Sequence, residues 1–433
     1  MKKLVPAGRS FKVRMDSIKG RRVKAWWFIP LTGRASAGGE YTDMGEVEFM
    51  PPDPGEMIDW VLALDGAAHG YSEPGFMRQK TPHESGSRRE ERYAMNALRF
   101  AILGTGFWAR YQLAAWNELP GARCVALYNR TRARAERLAL EFAVPSVYDD
   151  PALMLEMEKL DFLDIIAGVS VHGAFVRLAA ERRLPVICQK PMAVSLREAE
   201  EMVELCRAAG IPFFVHENWR WQVPIRQVKK ILASGIIGSA FRSRIHYCSS
   251  FPVFDNQPFL RDLDQFILTD MGSHILDIAR FLFGEPVSLY CRTRRIHRDI
   301  RGEDVATVVL VTSEDVTIVC EMSYASRTEH ERFPETYIFV EGEEGSIELG
   351  PDYWIRVTTR EGTTARRHAP PRYPWADAGH DVVHASILSC NANLLGALAG
   401  TGVAETTGED NLKTVRLVFG SYESARLNRT VNL

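Results

Sequence analysis

Apolar and polar positions follow two alternating periods between residues 98 and 216. Short apolar runs, among them FAIL, VALY, DFLDIIA, LPVICQ and IPFFV, are separated by stretches with apolar positions at helical spacing, notably 131–142, 170–182 and 195–209. Strands that alternate with helices of about 10–15 residues are typical of βαβ units with right-handed crossovers. The pattern predicts six strands in a parallel sheet, and hence an α/β domain over residues 98–217.

The pattern changes after Arg220. Helical spacing around 224–234 and 268–283 is followed by strand-like runs such as FRSRIHYC, VATVVLVT and VTIVCEMSYA, which short turns separate, and two helical stretches close the chain. Such runs favour a mostly antiparallel sheet. We therefore expect residues 218–433 to form an α+β domain with an open sheet. Helices on one face would leave the other face in need of cover, which favours a homo-oligomer.

The first 97 residues differ from the rest. Residues 1–65 contain strand-like runs between Gly/Pro turns, which predicts a small β-rich extension. Residues 66–97 lose apolar content and include KTPHESGSRREER, so they are predicted to be a linker. Met95 stands directly before the first strand of the α/β domain. Our hypothesis is that the functional unit begins near Met95 and that the leader is a fused or mis-started remnant.

Composition narrows the class of protein. The net charge is −2, 46% of residues are apolar, and no basic run indicates nucleic acid as a partner. No run approaches the roughly 18 apolar residues of a membrane helix, and AWWFI, which follows two arginines, is too short for a signal peptide. Seven cysteines without a C-x-x-C pair favour free thiols in a reducing cytoplasm. We expect neither a metal site nor a disulfide framework.

The stretch LRFAILGTGFWA carries the first candidate site. Its apolar run ends at Gly104, Gly106 follows, and Ala109 comes three residues later, which fits the strand–turn–helix form G-x-G-x-x-[GA]. The first glycine permits a tight turn, and the second lets a pyrophosphate approach the backbone at a helix N-terminus. The stretch predicts a dinucleotide site with cofactor contacts from Gly104, Thr105, Gly106, Phe107 and Trp108.

The second strand of this domain ends at the position that usually carries a ribose-binding carboxylate. Here the residues are Asn129, Arg130 and Thr131. Without a carboxylate a ribose 2′-phosphate is not repelled, and Arg130 is able to pair with it, so the site favours NADP over NAD. Alternatively, Asn129 caps the following helix, and both roles are compatible.

Two further motifs place proton-transfer groups near the same edge. Lys190 follows the strand PVIC directly, at the carboxyl end where ligands bind such sheets. Asp270 and His274 are spaced i, i+4, which on a regular helix puts a carboxylate beside an imidazole. The alternatives are a solvated turn for the lysine and a surface pair or buried core histidine for the D-x-x-x-H motif.

Taken in order, these motifs resemble the glucose–fructose oxidoreductase/inositol dehydrogenase family over about residues 96–433. The resemblance rests on GTGFWA, QKP, HENWRW, TDMGSHILDIARFLFG and the C-terminal TTGEDNLKTVRLVFGSYESAR. It implies a Rossmann domain followed by an open-sheet domain, NAD or NADP as cofactor, and hydride transfer on sugars, inositols or related small molecules. Separately, WFIPLTG, FMPP and DWVL in the leader resemble a collagen-binding-like β module of some glycoside hydrolases.

The resemblance also implies roles for individual residues. Lys190 matches the lysine of the family's E-K-P motif, Asp270 and His274 match its D-x-x-x-H pair, and His172 matches a histidine beside the cofactor. Two departures stand out. Gln189, at a cofactor-side position, replaces the usual glutamate and removes a charge beside Lys190, and AGVS replaces the usual T-P loop before His172.

These roles combine into a mechanism. Histidine has an ordinary pKa near 6.5, so His274 is the expected proton shuttle, oriented by Asp270. Lys190 is expected to hydrogen-bond the reacting oxygen, and a share in the base role is the second role open to it. Asn218, Trp219 and Arg220 are expected to line the substrate cleft. The competing hypotheses are an NAD-dependent glycosidase-type lyase of the same fold and a non-catalytic sensor that binds NADP and a sugar.

Overall fold

The structure, a computed structural model, describes residues 2–5, 11–15, 22–28, 35–42, 45–50, 60–66, 97–329, 331 and 333–433. It contains two compact units, Met1–Ser87 and Arg88–Leu433, and each is described by itself. Nearly all of the expected linker, residues 67–96, lies outside the described residues.

The described part of the first unit consists of strands. A four-stranded antiparallel sheet has the order β1-β6-β3-β4, and β2 pairs with β5 separately. Alternate residues of β3 are buried, and Trp27 meets Phe49 edge to face at 6.4 Å between ring centroids. The β-rich extension expected from the sequence is therefore present. The strands are β1 (Lys2–Val5), β2 (Phe11–Arg14), β3 (Arg22–Phe28), β4 (Ala35–Thr42), β5 (Glu46–Phe49) and β6 (Trp60–Gly66).

The second unit begins with a parallel sheet of six strands, which confirms the predicted Rossmann domain. Its order is β12-β11-β10-β7-β8-β9, so the strand order reverses between β7 and β10. Ligands bind at such a switch point, outside the carboxyl ends of the strands. The strands are β7 (Leu98–Leu103), β8 (Ala122–Tyr128), β9 (Ser146–Tyr148), β10 (Phe162–Ile165), β11 (Val186–Gln189) and β12 (Phe213–His216). The helices are α1 (Phe107–Asn117), α2 (Arg132–Phe142), α3 (Pro151–Met157), α4 (His172–Glu181) and α5 (Leu196–Ala209).

The rest of the unit is built on a nine-stranded sheet of order β20-β19-β18-β17-β13-β16-β15-β14-β21, in which only β13 and β16 run parallel. Burial alternates along β15, because helices cover one face of the sheet. The strands are β13 (Ala240–Cys248), β14 (Pro286–Arg294), β15 (Val305–Thr312), β16 (Thr317–Ser323), β17 (Tyr337–Gly342), β18 (Gly345–Leu349), β19 (Trp354–Thr359), β20 (Gly362–Arg367) and β21 (Val431–Asn432). The helices are α6 (Val223–Ala233), α7 (Val253–Asn256), α8 (Ser273–Phe283), α9 (Asp381–Leu398) and α10 (Gly408–Leu427).

The two C-terminal helices join the two sheets. Leu394 of α9 lies in a core cluster of the Rossmann domain. Helix α10 contributes Leu412 and Val415 to another Rossmann cluster, and Leu417 and Val418 to the core under the large sheet. This packing holds the carboxyl ends of β11 and β12 against α8. Among the described helices, none is both long and apolar enough to cross a membrane.

Candidate active site

The glycine turn has the geometry that a dinucleotide requires. Gly104 has φ +107°, and a Cβ on it would lie 2.3 Å from the carbonyl oxygen of Ile166, so no side chain fits. Gly106 precedes α1, and a Cβ there would meet nothing within 4 Å. The space over the helix N-terminus is thus open to an anion. These residues fit the pyrophosphate of a nicotinamide dinucleotide.

Asn129 connects this turn to the next helix. Its Nδ2 donates to Thr105 Oγ1 at 2.7 Å, and its Oδ1 accepts from the Thr131 amide at 2.8 Å. The N-cap residue of α2 is Thr131, so Asn129 links the glycine turn to that residue and does not itself cap the helix. Its contact with the cofactor ribose stays a prediction. Arg130 is exposed beside it.

The two aromatic residues of the turn have different surroundings. Phe107 is 53% exposed at the start of α1. Trp108 packs into the core, with its ring edge on to His384 of α9 at 6.2 Å between centroids. Of the two, Phe107 is the one placed to contact a bound ligand.

Lys190 follows β11 and is held by one residue of the second domain. Its Nζ donates to Asp270 Oδ1 at 3.1 Å and to the Asp270 carbonyl oxygen at 3.2 Å. The hydroxyl of Tyr324 donates to the other oxygen of Asp270 at 3.3 Å. An ammonium has three N–H groups, so this arrangement orients Lys190 and leaves one donor for a ligand.

His274 lies on α8 and has a different carboxylate partner. Its Nδ1 is 2.5 Å from Oε1 of Glu217, the residue after β12, and its ring stacks on Trp219 at 4.5 Å between centroids. Burial raises the pKa of Glu217 to about 7. Burial, with a contribution from the Lys190 charge, holds the pKa of His274 well below its ordinary value. Because Nδ1 is engaged, Nε2 is the ring nitrogen left for proton exchange.

This geometry corrects the prediction that Asp270 orients His274. The i, i+4 argument assumes a regular α-helix, but residues Leu268–Gly272 form a π-helical turn directly before α8. The wider turn changes the angle between the two side chains. Asp270 therefore faces Lys190, and Glu217 faces His274. Glu217 is the second residue of the motif HENWRW and directly follows a parallel strand of the Rossmann domain. A carboxylate at that place in the sequence could have identified Glu217 as a site residue.

The three residues expected to line the substrate cleft lie mostly inside the protein. Arg220 is 5% exposed, and its guanidinium binds Asp277 through Nε at 2.7 Å and Nη2 at 2.5 Å. It also donates to Asp410 at 3.0 Å. Because internal carboxylates bind the guanidinium, the prediction that Arg220 contacts the substrate is wrong. Asn218 donates to the Ser386 hydroxyl of α9 at 2.7 Å. Trp219 is buried and supports the imidazole of His274.

Two other expected cofactor residues act on the backbone of the site. The ring nitrogens of His172 lie 3.2 Å from the Met192 carbonyl oxygen and 3.1 Å from that of Ala167, and burial lowers the pKa of this histidine. His172 thus braces the loops after β10 and β11. Gln189 accepts from the backbone amide of Lys190 at 2.8 Å.

In the described part of the chain, no group of three His, Cys, Asp or Glu side chains is arranged to hold a metal ion.

Comparisons with known proteins show the family of the chain. Residues 98–217 match the family described as "Oxidoreductase family, NAD-binding Rossmann fold", and residues 225–348 match the "GFO/IDH/MocA C-terminal domain". The chain is 42% identical over 333 residues to the D-apiose dehydrogenase of Paraburkholderia graminis, which covers 77% of this chain and 89% of the relative. The chain belongs to the glucose–fructose oxidoreductase/inositol dehydrogenase family.

Further relatives of the family are similar over nearly their whole length. The D-apiose dehydrogenase of Rhizobium rhizogenes is 40% identical over 339 residues, 78% of this chain and 98% of the relative. A crystal structure of an oxidoreductase from Agrobacterium radiobacter in complex with NAD+, L-tartaric acid and magnesium is 40% identical. It aligns with a TM-score of 0.76 and covers 77% of this chain and 98% of that chain.

These matches confirm the expected reaction class. The protein is a nicotinamide-dependent oxidoreductase that transfers a hydride between the cofactor and a hydroxyl or carbonyl carbon of a sugar, inositol or related small molecule. Residues 4–65 match the family described as "Putative collagen-binding domain of a collagenase", as the leader motifs indicate.

Proposed function

We propose that this enzyme is a dehydrogenase of D-apiose or a closely related small sugar. The observation that carries the proposal is that Lys190 and His274 are each held by a carboxylate, Asp270 and Glu217, and lie close enough for the Lys190 charge to lower the pKa of His274. The two D-apiose dehydrogenases, at 42% and 40% identity, supply the substrate class.

We also propose that the enzyme works in the cytoplasm, in line with the free thiols of all seven cysteines.

The chain's own residues supply binding and proton transfer. Gly104 and Gly106 would hold the dinucleotide, and its nicotinamide would supply the hydride chemistry when bound. Lys190, held by Asp270, donates its remaining N–H to the reacting oxygen and stabilises the negative charge that develops there. Nε2 of His274 accepts the hydroxyl proton in oxidation and returns it in reduction. Glu217 keeps the proton of the imidazole on Nδ1 and leaves the Nε2 lone pair free. We assign catalytic contact to Lys190 and His274, and positioning to Asp270 and Glu217.

We propose that the dinucleotide site takes NAD+ and also admits NADP+. The similar Agrobacterium oxidoreductase holds NAD+. In this chain Asn129 stands where a carboxylate would repel a ribose 2′-phosphate, and Arg130 is exposed next to it.

A substrate screen tests the proposal. D-Apiose, aldopentoses, inositols and sugar acids are each incubated with NAD+ and with NADP+, and reduced nicotinamide is measured by its absorbance. We expect D-apiose or a close analogue to give the highest kcat/KM.

Lys190→Ala and His274→Ala should each lower kcat by on the order of 100-fold or more with cofactor affinity kept. Near wild-type turnover in either variant would contradict its assignment, and glycoside cleavage without reduced cofactor would favour the lyase.

We propose that the enzyme is a homo-oligomer that pairs through the outer face of the nine-stranded sheet. Partly exposed valines line this face along β15, and Phe339 of β17 is 41% exposed. Light scattering coupled to size exclusion measures the state. A monomer at micromolar concentration would contradict the proposal.

A further inference from the structure

A buried carboxyl group of the Rossmann domain lies beneath the active site. Asp164, in β10, is fully buried, and both of its oxygens lie 3.1 Å from Nε2 of Gln112. The indole N–H of Trp116 donates to Oδ2 at 2.8 Å. In the described part of the chain its hydrogen-bond partners are the uncharged side chains of Gln112 and Trp116, and burial raises its pKa to about 7. A lone buried carboxyl is costly, so its retention needs a reason.

The carboxyl group begins a directional series of hydrogen bonds that ends at Lys190. Because Asp164 accepts from Nε2 of Gln112, the Oε1 of Gln112 points away and accepts from Nε2 of Gln189 at 2.9 Å. The Oε1 of Gln189 then accepts from the backbone N–H of Lys190 at 2.8 Å. Each side-chain amide has one donor end and one acceptor end, so the first acceptor sets the orientation of every later group.

We propose that Asp164 is a positioning residue that fixes the backbone of Lys190 through the amides of Gln112 and Gln189. The inference rests on the proposed role of Lys190 and extends it to a carboxyl group in another strand. The series connects α1, which starts at the glycine turn, with the end of β11. These hydrogen bonds thereby fix the position of the lysine backbone relative to the dinucleotide-binding helix.

This series of hydrogen bonds explains why a neutral side chain suits position 189. Glutamine at this position presents an acceptor to the Lys190 amide without a negative charge beside the ammonium. Above the pKa of Asp164, about 7, the negative charge lies instead on that carboxyl group, behind Gln112. If the acceptor at 164 were replaced by a donor, Gln112 would rotate and present its N–H groups to Gln189. Two donors would then face each other, and the contact with Lys190 would be lost.

A reversal of polarity tests the proposal. The assays are run above the pKa of Asp164, about 7, where the carboxyl is ionised and only accepts. In Asp164→Asn an amide N–H replaces Oδ1 and faces the donating Nε2 of Gln112. In Gln189→Glu a carboxylate oxygen replaces Nε2 and faces Oε1 of Gln112, so each single change conflicts with the unchanged end. In the double variant both changes agree. The new amide at position 164 would accept from Trp116 and donate to Gln112, Gln112 would donate to the carboxylate at 189, and that carboxylate would still accept from Lys190. The double-mutant cycle isolates the coupling.

The expected result is a loss of kcat on the order of 10-fold or more in each single variant, with the KM for the cofactor little changed, and recovery of most of the kcat in the double variant. Asp149→Asn, at an exposed position of the same domain, is the matched control and should not change kcat. Melting temperatures are measured in parallel. Rescue of activity is the readout that a merely structural role of Asp164 would not produce.

Other outcomes overturn the inference. Single variants with unchanged kcat, or a folded double variant whose losses add, would show that Asp164 does not act through Gln189. If the Asp164 variants do not fold, Gln189→Glu alone decides, and unchanged kcat refutes the proposal. Lys190→Ala, assayed alongside, separates the two claims. Its full activity would refute the role of Lys190 itself, whereas its inactivity beside fully active Gln189→Glu would refute only the positioning role.

Discussion

Two carboxylates with different partners control the protons of the active site. Glu217 is buried against the imidazole of His274, and Asp270 binds the ammonium of Lys190. The pair of Glu217 and His274 accepts a proton as the pH falls through about 7, where Glu217 titrates. Above that pH the carboxylate holds the imidazole proton on Nδ1, and Nε2 is a base. Below it the pair carries an extra proton, which suits reduction.

The first prediction concerns Glu217→Gln. The glutamine oxygen still accepts from Nδ1, so the ring keeps its orientation, but the negative charge is gone. Without that charge, protonation of the pair requires a lower pH. We expect the acidic limb of the kcat profile for oxidation to move to lower pH, and kcat to fall at least about tenfold. The pH dependence of kcat measures both effects.

A suitable control uses the same change without the histidine. In a His274→Ala background, Glu217→Gln should have little further effect, because the two residues act as a unit. An acidic limb that stays in place in the single variant would assign that limb to another group.

A second prediction concerns cofactor choice at Asn129. Asn129→Asp places a carboxylate near the expected position of the ribose 2′-phosphate. Like charges at close range repel, so kcat/KM for NADP+ should fall relative to that for NAD+ by on the order of tenfold. Steady-state kinetics with both cofactors measures the ratio, and Asn129→Ser, which adds no charge, serves as the control. An unchanged ratio would place the 2′-phosphate elsewhere.

At the level of elements, the turn between β7 and α1 combines two glycines with separate tasks. Gly104 has a left-handed backbone conformation and lies against the loop after β10. Gly106 has φ −78°, which any residue adopts, and faces open space. Gly104 is required for the stability of the fold. Gly106 is not required for stability, and the close approach of a ligand is the reason for a glycine there.

The third prediction separates these tasks. Gly104→Ala should destabilise the fold by about 2 kcal/mol or more, because the new Cβ overlaps the Ile166 carbonyl and the backbone is strained. Gly106→Ala should retain the melting temperature and lose affinity for NAD+. Thermal unfolding and cofactor titration measure the two quantities. A Gly106→Ala protein with unchanged cofactor affinity would contradict the placement of the pyrophosphate.

At the scale of the whole molecule, every residue assigned to the site lies between Gly104 and Tyr324. All of them belong to the compact unit Arg88–Leu433, whose first strand begins at Leu98. The family match begins at the same residue. The hypothesis that the functional unit starts near Met95 is therefore open to a direct test.

The fourth prediction is that a protein starting at Met95 stays soluble and keeps the kcat and KM of the full chain. The residues that we assign to the site belong to the unit Arg88–Leu433, and β7 retains both of its neighbours in the sheet. Steady-state kinetics and sedimentation compare the two proteins. An insoluble or inactive product would assign the leader a role in folding or catalysis.

The order of elements and the main chemical groups were predictable from the sequence. Hydrophobic period is a local property, so six parallel strands, an open second sheet and most helix bounds to within about two residues follow from it. The exception is α8, which begins at Ser273 and not at 268, because residues 268–272 form the π-helical turn. The conformational demand on Gly104 and the position of Lys190 after a parallel strand are likewise local signals. The family and reaction class came from the resemblance of the ordered motifs to a known family, which the comparisons confirm.

Only the tertiary structure decided which groups face each other. Glu217 and His274 are 57 residues apart, and Gln112 and Asp164 are 52 apart, so no spacing rule joins them. A π-helical turn moved Asp270 away from the predicted contact, and internal carboxylates occupied Arg220. Partner choice depends on how distant elements pack and on which charges that packing desolvates. The sequence by itself determined the elements and the reactive side chains, and the packing of the two domains determined their roles.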